Sequence, residues 1–226
     1  MINLKNICLI LLVSLCALKI SAQDKSGNPE NWCRNGHFPQ ESNFKLATVT
    51  GGRNSRVYFL NDSDDCPQVG NAKCREKSYL IPGDKLIVTR KYGKWMCSWY
   101  QPRKGEATVG WIPTENLAIS EPEANPSIEK WLGVWKSYEQ TLEIKKDARA
   151  GFLKVNGDAL WRGLGENVHV GEVNASAKTD GNKLFLEDDI CQVRLTLIGS
   201  FLIGRDNFKC GGLNVSFIGV YQKSAK

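Results

Sequence analysis

Eight cysteines carry the most clearly defined chemistry of this 226-residue chain. Two of them, Cys8 and Cys16, stand in an N-terminal segment built as an export signal. Lys5 gives a positive start, residues 7–18 form an apolar run, and Lys19-Ile20-Ser21-Ala22 ends in small residues. The run is shorter than the roughly 20 apolar residues that a membrane span requires, so cleavage after Ala22 is expected, with no stable membrane insertion afterwards. Acylation at Cys16 is the competing reading, and the bulky Leu15 before it argues against that. Cys33, Cys66, Cys74, Cys97, Cys191 and Cys210 then remain. An even number of cysteines in an exported chain reads as a disulfide framework. Zinc is the rival reading, but there is no Cys-x-x-Cys pair, and His37 and His169 are the only histidines.

Six cysteines allow 15 pairings. Cys191 and Cys210 flank a hairpin centred on Gly199-Ser200, in which paired residue numbers sum to about 399, so Cys191 falls opposite residue 208 and close to Cys210. Cys66 and Cys74 flank a short loop. Cys33 and Cys97 remain by elimination and tie the N-terminal segment onto the first half of the chain.

With the cysteines consumed, no thiol is left for a peptidase nucleophile. Gly-x-Ser-x-Gly and His-Glu-x-x-His are both missing. His37 lies in the loop-like Asn35-Gly36-His37-Phe38. His169 and Glu172 are three apart in a strand-like stretch and so face opposite ways. Glu187-Asp188-Asp189 has the look of a solvated turn and lacks the alternating acids and glycine of a calcium loop. The expectation is no enzyme, no cofactor and no metal.

The aromatic residues read differently. Tyr58, Tyr79, Tyr92, Trp95, Trp99, Tyr100, Trp111 and Pro113 crowd about 60 residues. Strand alternation sends Met96, Ser98 and Tyr100 to one face and Trp95, Cys97 and Trp99 to the other. Gly83-Asp84-Lys85-Leu86-Ile87-Val88, Gly93-Lys94-Trp95, Trp99-Tyr100 and Gly110-Trp111-Ile112-Pro113 stand in order along the chain. This succession resembles the bacterial SH3-like (SH3b) domain, a small barrel that binds peptides or wall material in an aromatic groove. The resemblance implies a ligand groove at Tyr58, Trp99, Tyr100 and Pro113, rimmed by Arg90, Lys91 and Lys94.

The elements that must position these residues are strands. Alternation and glycine-bearing turns dominate both halves of the chain, and no long helical period is present. Strands are expected at 45–50, 56–60, 86–88 and 95–100, with an irregular loop around Cys66 and Cys74. The second half is expected to hold strands at 141–144, 152–155, 167–175, 183–186, 191–198, 201–205 and 213–221, with turns at Asn156-Gly157-Asp158, Asp180-Gly181-Asn182 and Gly199-Ser200. Its opening Trp131-Leu132-Gly133-Val134-Trp135 resembles the start of lipocalin-type barrels. Its size is similar to that of periplasmic lysozyme inhibitors, although their Ser-Gly-x-x-Tyr loop is absent. The mature chain as a whole, ending in Cys210-Gly211-Gly212-Leu213-Asn214-Val215-Ser216-Phe217, resembles exported proteobacterial proteins of unassigned function.

The expected fold is therefore all-β: two small antiparallel barrels, SH3-like and then seven- to eight-stranded, stapled by disulfides. The expected divisions are a signal at 1–22, an N-terminal segment at 23–43, the SH3-like domain at 44–120, an acidic proline linker at 121–128 and a small barrel at 129–226. Residues 44–120 hold 12 basic against 7 acidic side chains, a mild excess without the basic tract that nucleic-acid binding demands. The chain reads as a non-enzymatic protein of the periplasm or secreted envelope, whose partner is a peptidoglycan peptide or a periplasmic protein. The alternative is an inhibitor or immunity protein acting against a wall-degrading enzyme.

Overall fold

A computed structural model of the chain describes residues 29–68 and 72–224; the expected signal at 1–22 lies outside the described residues. The fold is all-β, with two antiparallel sheets. The first contains β1 (Lys45–Val49), β2 (Val57–Leu60), β3 (Arg75–Leu80), β4 (Lys85–Tyr92), β5 (Trp95–Tyr100), β6 (Thr108–Pro113) and β7 (Leu117–Ser120), in the spatial order β3-β2-β6-β5-β4-β1-β7. A single 3-10 turn, Thr114–Asn116, joins β6 to β7. The seven strands enclose an inner cluster that includes Val49, Phe59, Leu86, Val88, Met96 and Ile112. Gly110 lets β6 approach β2: a Cβ there would stand 2.9 Å from the Leu60 carbonyl oxygen.

The second sheet contains β8 (Gly133–Ser137), β9 (Gln140–Lys146), β10 (Leu153–Arg162), β11 (Val168–Ala177), β12 (Thr179–Asp180), β13 (Lys183–Asp188), β14 (Cys191–Ile198), β15 (Phe201–Asp206) and β16 (Gly219–Lys223). Their order is β11-β10-β9-β8-β16-β15-β14-β13-β12. The sheet curls into a nearly closed barrel. At the seam, the Asn174 N–H of β11 donates to Asp188 of β13 at 2.7 Å. Side chains fill the interior: Trp131 from the short helix α1 (Ile128–Trp131), Trp135, Leu142, Val155, Leu195, Phe217 and Tyr221 are all fully buried. The Trp135 indole donates to the Trp131 carbonyl at 2.7 Å and the Tyr221 hydroxyl to the Phe217 carbonyl at 2.8 Å, which satisfies the polar ends of both side chains.

Several expectations are corrected by the fold. Asn156-Gly157-Asp158 is the middle of β10, not a turn. A Cβ at Gly157 would meet Leu142 at 2.6 Å and Val173 at 2.7 Å, so the glycine marks close packing inside a long strand. The irregular loop expected after β2 contains β3, whose first five residues are all exposed and so offer no alternation to read. The last expected strand, 213–221, is reduced to β16, because the Asp206 carboxylate takes the Phe217 N–H at 2.6 Å and draws residues 207–218 into a loop. The barrel has nine strands among the described residues rather than seven or eight.

The disulfides are Cys33–Cys97, Cys66–Cys74 and Cys191–Cys210, with Cα–Cα distances of 5.5, 5.4 and 4.4 Å. The first ties residues 29–44 across the outer face of the first sheet. The same segment is held by Asp62, which accepts from the Cys33 N–H at 2.8 Å and from Arg34 Nε at 2.7 Å. The Trp111 indole adds a bond to the Asn31 carbonyl at 2.8 Å.

A third apolar cluster lies outside both sheets and joins them. Ile87, Trp95, Cys97, Trp99 and Trp111 come from the first sheet, Cys33, Phe38 and Phe44 from the strap, and Ile198, Phe201, Ile203 and Val220 from the barrel. Strand β5 is therefore buried on both faces. The aromatic excess that suggested an exposed surface is largely spent on this seam.

Candidate binding groove

Tyr58, Lys94 and Pro113 converge on one shallow groove of about 360 Å³. The register explains how. Pro113 ends β6 directly opposite Trp95, the first residue of β5. Beside them the Thr114 N–H donates to the Lys94 carbonyl at 2.8 Å, which fastens the 3-10 turn to the β4–β5 hairpin. Tyr58 on β2, with Glu115 and Asn116, completes the lining. The Lys94 ammonium lies 5.3 Å from the centre of the Trp95 ring and places a cation at the rim.

Tyr58 also belongs to a ladder that the residue pattern does not reveal. It pairs across the strands with Tyr79, at a ring separation of 5.6 Å. The Arg75 guanidinium sits 3.4 Å from the Tyr58 ring centre, and that of Arg56 lies 4.5 Å from the Tyr79 ring. Hydrogen bonding to Arg56 holds the Tyr58 phenol below its ordinary pKa, and the charge of Arg75 acts in the same direction. The signal in the sequence is faint, because Arg75 and Tyr79 lie on β3, whose pattern is that of a loop.

The other expected groove residues lie elsewhere. Trp99 is buried in the seam, edge-on to Phe201 at 5.5 Å. Tyr100 packs against the inner cluster of the first sheet, and its hydroxyl donates to Asp84 at 3.2 Å. Burial, then the Asp84 charge, push its phenol pKa up. Arg90 clamps the strap: its guanidinium donates to the Trp32 carbonyl and to the Glu30 carbonyl, and pairs with Glu41 at 3.3 Å. Lys91 lines a separate hollow with Asn43 and Ile119.

His169, Glu187 and Asp188 are engaged in the fold. His169 Nδ1–H donates to the Leu213 carbonyl at 2.6 Å while its ring stacks 5.1 Å from Trp161, pinning the 207–218 loop to β11. Asp188 takes the Asn174 N–H, and Glu187 accepts from Gln192 at 3.3 Å. His37 is exposed beside Trp32, at a ring separation of 5.0 Å. Among the described residues no cluster of three or more His, Cys, Asp or Glu side chains could hold a metal, and no helix is long and apolar enough to cross a membrane. No protein-family model, no curated protein and no solved structure matches this chain.

Proposed function

We propose that the chain is a non-enzymatic binding protein of the bacterial envelope, whose first sheet is an SH3-like barrel holding a peptide of peptidoglycan or of a protein partner. The observation that carries this reading is the groove in which Tyr58, Trp95, Lys94 and Pro113 meet. Rigid aromatic and proline surfaces supply contact area at little entropic cost. Arg56 and Lys94 offer positive charge and Glu115 negative charge, complementary to the carboxylates and amine of a short stem peptide. The two-strand β2–β3 excursion and the 3-10 turn before β7 favour the SH3-like assignment. The three disulfides favour an oxidising, extracytoplasmic location.

Co-sedimentation with purified peptidoglycan, alongside capture from periplasmic extract, tests this reading. Retention on the wall material or on a specific protein, lost when Tyr58 is replaced by alanine, is the expected result. Equal retention of both proteins would rule the groove out as the binding site.

The inhibitor reading has one observation in its favour. The 207–218 loop, anchored by Cys191–Cys210, holds Phe208 and Leu213 about 67% and 74% exposed. A rigid loop with apolar tips is suited to entering a partner's cleft.

A further inference from the structure

On one side the seam opens into a cleft of about 620 Å³, walled by residues 41–45 and by strands β13 to β15. Lys183, Arg194 and Arg205 line it from the barrel. Arg194 stands directly opposite Arg205 in the β14–β15 ladder, and Lys183 stands opposite Thr196, one row nearer the seam. Like charges in directly opposed positions destabilise a sheet.

Among the described residues none of the three stands within ion-pair distance of a carboxylate, although Asp180 is the cross-strand partner of Lys183 in the β12–β13 ladder. Arg194 lies 5.5 Å from the Phe185 ring centre, a contact that brings no countercharge. The two acids that line the cleft are already committed, Glu41 to Arg90 and Glu121 to Lys45. Asp206, next to Arg205 in sequence, falls on the other side of the strand and accepts the N–H groups of Phe217 and Phe208. The floor of the cleft is apolar, formed by Phe44, Ile198 and Ile203.

We propose that this cleft binds an oxyanion ester, a phosphate or sulfate carried on a small organic group. The anion sits between Arg194 and Arg205, whose planar guanidiniums offer forked donors to two of its oxygens. Lys183 supplies a further charge, and the organic group lies along the apolar floor. Adjacent strands are about 5 Å apart, so the three cations span roughly 10 Å. That span fits one anionic group and its immediate substituent. The site shares no residue with the Tyr58 groove.

Titration of the full chain with inorganic phosphate, inorganic sulfate, glycerol 3-phosphate and glucose 6-sulfate, each against chloride of matched ionic strength, tests the proposal. At least one oxyanion should bind saturably and raise the melting temperature above the chloride control. The two esters distinguish a phosphorylated from a sulfated ligand. The double variant Arg194→Gln/Arg205→Gln should bind at least tenfold more weakly and melt no lower than the parent without ligand, because the repulsion is gone. Arg205→Lys, which keeps the charge and loses the fork, should show an intermediate loss and serves if the double variant does not fold. Arg53→Gln/Lys104→Gln, with equal charge removed outside the cleft, and Tyr58→Ala should both keep full affinity. Oxyanions acting no more strongly than chloride would overturn the site, as would an equal loss in the Arg53/Lys104 control.

Discussion

Trp99 of β5 meets Phe201 of β15 edge-to-face, with ring centres 5.5 Å apart, and this contact joins the two halves of the chain. Neither residue lies in the interior of its own sheet; both belong to the cluster between the sheets. The two halves therefore share apolar surface that each would otherwise expose. Replacing Trp99 by alanine should cost about 3–5 kcal/mol, the usual range for emptying a buried aromatic site. It should also split unfolding into two calorimetric transitions as the halves uncouple. One transition at the parent temperature would show that the seam contributes little.

The same seam changes what a cut in the linker should do. Residues 121–127 run outside both sheets, and Glu121 and Glu123 are tethered by Lys45 and Lys130. Among the described residues no disulfide crosses this segment, since Cys33–Cys97 and Cys66–Cys74 lie before it and Cys191–Cys210 after it. Limited proteolysis at 122–126 should leave two fragments that co-elute under native conditions. They should separate in denaturant without reductant. Separation under native conditions would contradict a shared core.

Acid should weaken the barrel through Asp147. Its carboxylate accepts from the Ser176 hydroxyl and from the Arg149 N–H, and these bonds, the Ser176 bond first, lower its pKa to about 2. A carboxyl depressed below its unfolded value of about 3.9 stabilises the fold above that pH. The contribution disappears as pH falls from about 4 through about 2. Asp147→Asn should flatten this limb of the stability curve when melting is followed from pH 5 to pH 2. A limb as steep as that of the parent would assign the acid sensitivity to other carboxylates.

Local pattern makes the hairpins largely legible in the sequence. In β14–β15 the paired numbers sum to 399, as in Val193 with Asp206, and the disulfide then joins Cys191 to Cys210. β5 alternates as expected, with Met96 facing the inner cluster and Trp95 and Trp99 facing away from it. The cover of that outer face is not legible. It consists of a strap and a second sheet that are distant in sequence, so Trp99 has the pattern of a groove residue and is a seam residue. Asn156-Gly157-Asp158 misleads for a related reason: turn chemistry and close packing both select glycine, and only Leu142 and Val173 across the strands distinguish them. Of the expected groove, Tyr58, Lys94 and Pro113 lie together, while Arg90, whose charge suggests a rim, is held by the Glu30 and Trp32 carbonyls.

The proposed peptide site lies where Tyr58, Lys94 and Pro113 meet. The most direct measurement is calorimetric titration of a peptidoglycan stem peptide into the parent chain, Tyr58→Ala and Tyr100→Ala, with the melting temperature of each recorded. Tyr58→Ala should weaken binding by about 1–3 kcal/mol and melt close to the parent, because its ring lies on the outer face. Tyr100→Ala should melt lower, through loss of inner packing and of the bond to Asp84, and should keep its affinity while folded. Unchanged affinity in Tyr58→Ala would rule the groove out as the binding site, and no binding of the stem peptide to the folded parent would rule out peptidoglycan as the source of the peptide.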